Sequence, residues 1–161
     1  MRKIVFFLFF YLFSINSYGL ESFNFDVTEI NIIENGNKII GSNGGKVTSD
    51  NNIIFEADKF IYIKDLNLLN VSGNVIIFDK TKNYTLYSEY VSYDRNKDIV
   101  ITENNSKAIS ENDNIEISAK NFRFDRQKNI ITAEKNVVVE DKLKNYTLYS
   151  EYVSYDRNKD I

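Results

Sequence analysis

Any chemistry in this chain has to be done with carboxylates, amines, hydroxyls and phenols, because its 161 residues include neither cysteine nor histidine. The commonest transition-metal ligands, thiol nucleophiles and near-neutral proton shuttles are therefore missing. The acidic residues with a regular spacing are Asp58, Glu89 and Glu151, one or two repeats of 31 residues apart. Carboxylates so placed could hold a cation, but with Lys59 and Lys120 close by they read as a solvated face. Glycoside hydrolysis would need two carboxyl groups at a fixed separation in a cleft, and no such pair stands out. Asn83-Tyr84-Thr85 and Asn145-Tyr146-Thr147 match a glycosylation pattern that chance supplies readily. We expect no catalytic residue, no metal site and no cofactor, and so not an enzyme.

What the sequence does organise is a repeat. The columns Ala57, Ser88, Ala119 and Ser150, then Phe60, Val91, Phe122 and Val153, then Tyr62, Tyr93, Phe124 and Tyr155 hold small, apolar and aromatic residues in turn, every 31 positions. At twice that spacing KNYTLYSEYVSYDRNKDI fills Lys82 to Ile99 and again Lys144 to Ile161 without a change. A short period in a chain of this size predicts a stack of one structural unit, so function has to be sought in the surface that the stack makes.

The first residues have a different task. Arg2 and Lys3 precede an apolar run from Ile4 to Phe13, followed by small residues at Ser17 and Gly19, which is the layout of a secretory signal peptide over residues 1–19. Ten apolar residues are too few to span a bilayer, which takes about 20 in a helix; an uncleaved anchor is the rival reading. Losing Arg2 and Lys3 takes the formal charge from -3 to -5. A mildly acidic chain without a basic tract is a poor binder of phosphate backbones, so no nucleic acid is expected as a partner. The domain is then residues 20–161. Because the sequence stops in mid-unit within its duplicated segment, we expect a longer protein.

Each repeat reads as two strands and a turn. Ile53 to Asp58 and Phe60 to Ile63 are β-branched and aromatic with no sustained helical spacing. A polar turn at Lys64-Asp65-Leu66-Asn67 leads to Leu68–Val71, then Ser72-Gly73-Asn74, then Val75–Phe78; Asp94–Asp98 and Asp125–Asn129 are the later turns. Parity sets the faces. Phe55 with Ala57 and Phe60 with Tyr62 fall on opposite parities, so a bulge or corner near Asp58-Lys59, Glu89-Tyr90 and Lys120-Asn121 must bend the strand to bring both pairs to one interior. A sheet bent at the same place in every repeat is a folded trough. Gly73 before Asn74 suits a left-handed or bulged residue in the turn between Leu68–Val71 and Val75–Phe78, as does the equivalent Asn104, whereas Lys135 at the third equivalent is a poor fit. Phe23 to Ile40 is a divergent first repeat with a hairpin signal at Asn35-Gly36, and Ser42-Asn43-Gly44-Gly45 reads as a flexible turn. There is no proline to interrupt a ladder.

The stretch ADKFIYIKDLNLLNVSGNVIIFD from Ala57 to Asp79, echoed from Ala119 to Val139, resembles the organic-solvent-tolerance family of periplasmic lipopolysaccharide-transport proteins. Its Gly-Asn-Val element is intact at Gly73-Asn74-Val75 and survives as Asn136-Val137. The likeness covers Phe23 to Ile161. It implies an all-β fold, an open, V-shaped twisted half jelly roll of antiparallel strands built here from 31-residue repeats, whose apolar groove holds the acyl chains of lipopolysaccharide. It also implies head-to-tail joining, to copies of itself and to other jelly-roll domains of the same transport route, by edge-strand pairing in the periplasm. On that reading the lining is Phe55, Phe60, Tyr62, Leu69, Val71, Val75 and Ile77, with Leu86, Val91, Tyr93, Val100, Ile117, Phe122, Phe124, Ile131, Val137 and Val139 from later repeats. The Tyr hydroxyls at 62, 93 and 155 would sit at the mouth. The N-terminal domain of the outer-membrane assembly protein is an alternative to the free bridge protein, although the lack of cysteine departs from its disulfide-bonded members. A structural or adhesive β-solenoid without lipid is a further alternative; the face switch within each repeat favours the trough.

Overall fold

The computed structural model describes residues 23–110 and 112–159; the signal peptide expected at 1–19 lies outside them. Among the described residues twelve strands make one antiparallel sheet: β1 (Phe23–Ile33), β2 (Lys38–Ser49), β3 (Ile53–Ala57), β4 (Lys59–Ile63), β5 (Leu68–Asp79), β6 (Tyr84–Asp94), β7 (Ile99–Glu103), β8 (Ser106–Ser110), β9 (Ile115–Ala119), β10 (Asn121–Asp125), β11 (Ile130–Asp141) and β12 (Tyr146–Asp156). The long strands are bent in the middle and run through both walls of a fold; the five-residue strands belong to one wall each. The pairings give the first wall the order β1-β2-β3-β5-β6-β8-β9-β11-β12 and the second β1-β2-β4-β5-β6-β7-β10-β11-β12.

The line along which the walls meet is where parity demanded a switch. β3 gives way to β4 at Asp58 and β9 to β10 at Lys120, and the ladders slip between Ser72 and Val75 and between Glu134 and Val137. Each slip spends two residues in the left-handed region: Gly73 and Asn74 at φ +79° and +50°, Lys135 and Asn136 at +66° and +54°. Lys135, a poor fit by type, takes the conformation all the same, because the surrounding ladder fixes the bend in every repeat. Ser42–Gly45 is not a turn but the corresponding bend inside β2, with Asn43 at φ +62° and Gly44 at +80°. Likewise Leu68–Val71 and Val75–Phe78 are two halves of β5.

At the opposite rim, the mouth, lie the tight turns. From the second turn onward each ends on a left-handed Asn or Asp, at Asn52, Asn67, Asn83, Asp98, Asn114, Asn129 and Asn145, residue types that tolerate that backbone because a short polar side chain can bond locally. Successive turns bond to one another along each rim: Arg95 N to Asn67 O, Arg126 N to Asp98 O and Arg157 N to Asn129 O on the second wall, Lys80 N to Asn52 O and Lys142 N to Asn114 O on the first.

Candidate functional site

The space between the walls is lined by rows of side chains running across the strands. Pairing register places Ile39, Tyr62, Leu69, Tyr93, Val100, Phe124, Ile131 and Tyr155 side by side on the second wall, and beneath them Phe60, Val71, Val91, Thr102, Phe122, Ala133 and Val153. On the first wall the row is Val47, Phe55, Ile77, Leu86, Ala108, Ile117, Val139 and Leu148. Such rows follow from a sequence period equal to one pair of strands per wall, which returns the same residue type to the same height.

All of the residues assigned to the lining from sequence lie in this interior. Fifteen are buried, and Ile131 and Val139 are partly buried against the same cluster. Sequence reasoning left out Phe23, Ile39, Val47, Ile53 and Tyr84, which join them; Val47 sits in a stretch without the repeat's aromatic signature. The Tyr62 hydroxyl donates to Asn67 Oδ1 at 2.9 Å and the Tyr93 hydroxyl to Asp98 Oδ1 at 2.8 Å, both at the mouth. Burial, and then the Asp98 carboxylate, push the Tyr93 phenol well above its ordinary range. Asp58, Glu89 and Glu151 are exposed, as a solvated face should be.

The interior is not an empty channel. Phe23 packs edge-on against Tyr62 with ring centroids 4.7 Å apart, Phe55 meets Tyr93 at 5.6 Å, and Tyr84 stands edge-on to Phe124 at 4.5 Å. Toward the C-terminal end this packing thins, and a narrow apolar cavity opens among Tyr84, Ala108, Ile115, Ile117, Ile131 and Tyr155.

Charged residues cross the mouth, in segments whose sequence signals only turns. Arg126 extends from the second wall, where its Nε lies 2.6 Å from Asp79 Oδ2 of the first wall and its Nη1 2.5 Å from Asp98 Oδ1. The Arg126 and Asp79 side chains are 4% and 0% exposed. Burial works against the charge on Arg126, but Asp79 and Asp98 outweigh it and hold the guanidinium more firmly protonated than usual. Arg95 grips Asp50 through Nε at 2.7 Å and Nη2 at 2.6 Å. The signal that could have found them is the column Arg95, Arg126 and Arg157, spaced like the rest of the repeat.

No protein-family model and no curated protein matches the chain. Among solved structures it is similar to LptH of Pseudomonas aeruginosa, described as the LptA-homologous periplasmic component of the conserved lipopolysaccharide transport device: TM-score 0.63, 13% identity, over 70% of this chain and 82% of that one. At that identity what is shared is the fold, and it is the antiparallel β-jelly roll expected from the sequence.

Proposed function

We propose that this chain is a non-catalytic carrier of lipopolysaccharide, exported by residues 1–19 to the periplasm, whose jelly-roll domain of residues 20–161 takes acyl chains between its walls and passes them toward the outer membrane. The observation that supports this most is the continuity of the apolar rows. They run from β2 to β12 across strands, whereas an ordinary sandwich core needs no passage along the stack. The fold likeness to LptH supports the same reading.

An edge strand supports joining to other such domains. β6 and β12 have the same sequence, YTLYSEYVSYD. β6 is flanked by β8 on one wall and β7 on the other; beyond β12 no described strand follows, and its interior-facing Tyr146 is 53% exposed against 7% for Tyr84. Among the described residues the outer ladder of β12 has no partner strand, and a ladder of that kind with apolar side chains on its inner face is what strand addition uses. The occupant we assign is the edge strand of another jelly-roll domain, a second copy of this chain included.

Photocrosslinking tests the carrier reading. A photoreactive residue in place of Phe122 should capture lipopolysaccharide in the intact fold. If it never does, position 122 is plain core and the lining is wrongly assigned.

A further inference from the structure

The walls share a continuous backbone at the bend and none at the mouth. There, among the described residues, side chains of the turns bring them together, and three arginines at the repeat spacing carry ion pairs across. Arg95 holds Asp50 with two short bonds. Arg126 holds Asp79, and its Nη2 also reaches the carbonyl of Asn51, at 3.4 Å. Arg157 reaches the Lys82 carbonyl at 2.6 Å, but its carboxylate partner Asp113 lies 3.9 Å away. Because all three sit on the bonded ladder of second-wall turns, each is held at the same height over the gap.

The interior beneath them has no free passage. Between the Arg95 and Arg126 bridges it is filled by Phe55, Leu69, Ile77, Tyr93 and Val100, each no more than 1% exposed. The apolar cavity lies at the other end, and Arg157 stands on its rim. An acyl chain could reach the inner rows only if the walls move apart at the mouth, and that movement has to part the arginines from their carboxylates.

We propose that Arg95, Arg126 and Arg157 form a latch along the mouth, tight at the N-terminal end and loose at the C-terminal end, so that the walls separate first beside Arg157. The loosest ion pair lies on the rim of the cavity, whose lining includes both Asp113 and Arg157. Opening in this way would break few backbone hydrogen bonds, since the sheet bends at the far line of bulges, where left-handed pairs already interrupt the ladder. That the visitor is an acyl chain rests on the carrier reading; the latch does not.

A chain without cysteine allows a direct test. Two single-cysteine reporters are made, Val100→Cys below the Arg126 bridge and Val75→Cys beside the bend, both at sites 1% exposed. Their modification by N-ethylmaleimide is timed with the latch intact and in the charge-neutral pair Asp79→Asn with Arg126→Gln. At least a tenfold acceleration at position 100, with little change at 75, is the result expected. No acceleration at 100 overturns the proposal; so does equal acceleration at both, which would mean that the whole fold has loosened. In a second arm, Asp113→Cys with Arg157→Cys, across the end where the walls part first, is bridged by a bismaleimide with a cleavable disulfide. Bridging should suppress capture of lipid A, and cleavage should restore it, whereas capture undiminished by the bridge overturns the latch. If the unbridged variant and the natural chain both fail to take up lipid A, the carrier reading has failed, and the thiol rates alone decide the latch.

Discussion

Asp58 backs directly onto Gly73: a Cβ added to the glycine would stand 2.5 Å from Asp58 Oδ2 and 2.9 Å from Asp58 Cβ. The two are also joined through the backbone, Asp58 N donating to Gly73 O at 3.0 Å, while Asn74 Nδ2 donates to the same carboxylate at 2.8 Å. The bend is built by this contact as much as by the turn residues.

Gly73→Ala should therefore cost about 1–3 kcal/mol, from a side chain forced into the left-handed region and a displaced Asp58. Urea unfolding measures it, and a midpoint unchanged from the natural chain would show that the bend adapts freely.

The third bend offers the converse. Lys135 carries its side chain at φ +66°, a conformation that costs a non-glycine residue about 1–2 kcal/mol. Lys135→Gly should stabilise the fold by up to about 1 kcal/mol, since the gain is offset in part by the greater freedom of glycine in the unfolded chain. The two glycine changes thus have opposite signs at equivalent positions.

Removing Arg126 alone should be severe. Arg126→Met leaves the buried Asp79 carboxylate without its main partner, and breaking a buried pair in this way costs about 3–5 kcal/mol. Removing both charges, as Asp79→Leu with Arg126→Met, should recover most of that loss. A double variant as unstable as the single one would mean that packing around the guanidinium, not its charge, holds the rim.

Asp50 gives an acid-side signature. Its hydrogen bonds from Arg95 hold its carboxyl below the usual range. A folded value beneath the unfolded one, which lies near about 4, means that the bridge contributes its full stability above that pH and loses it as pH falls through the lowered folded value. The natural chain should lose stability below about pH 4 more steeply than Asp50→Asn does. Parallel slopes in denaturant titrations would assign the acid sensitivity to other groups.

The duplicated segment supplies an internal control. Leu86 and Leu148 occupy one place in one sequence, yet they are 2% and 37% exposed. Leu86→Asp should cost about 4 kcal/mol or more, whereas Leu148→Asp should change the stability of the single chain by about 1 kcal/mol or less and abolish end-to-end association. Light scattering over a concentration series reads the second effect, and association surviving Leu148→Asp would remove β12 as the joining edge.

The repeat, the strand type, the bends near Asp58 and Lys120 and most of the inner face were legible in the sequence, because each depends on parity and period. Phe60, Tyr62, Phe122 and Phe124 are inside for the same reason that they stand out in the columns. The character of the site was less legible. Asp79, Arg126 and Asp98 are 47 and 28 residues apart along their two bonds, and nothing in a turn motif says that its arginine points across a gap and not into solvent. Ser42–Gly45 was misread because two glycines after an asparagine signal a left-handed backbone equally well at the end of a strand or in the middle of one.

The alignment of bends and turns in every repeat also limits how such a protein can change in size. Adding or removing 31 residues inserts or deletes one whole cross-section, two strands on each wall, and alters the length of the stack by about 10 Å, given strands 4.7–4.9 Å apart. A change within the strands that is not a whole multiple of 31 puts the left-handed pair of one strand opposite the straight part of its neighbour. Reach along the stack is therefore a stepped quantity, and a verbatim copy of one segment, as in Lys82–Ile99 and Lys144–Ile161, is the form that a step would take.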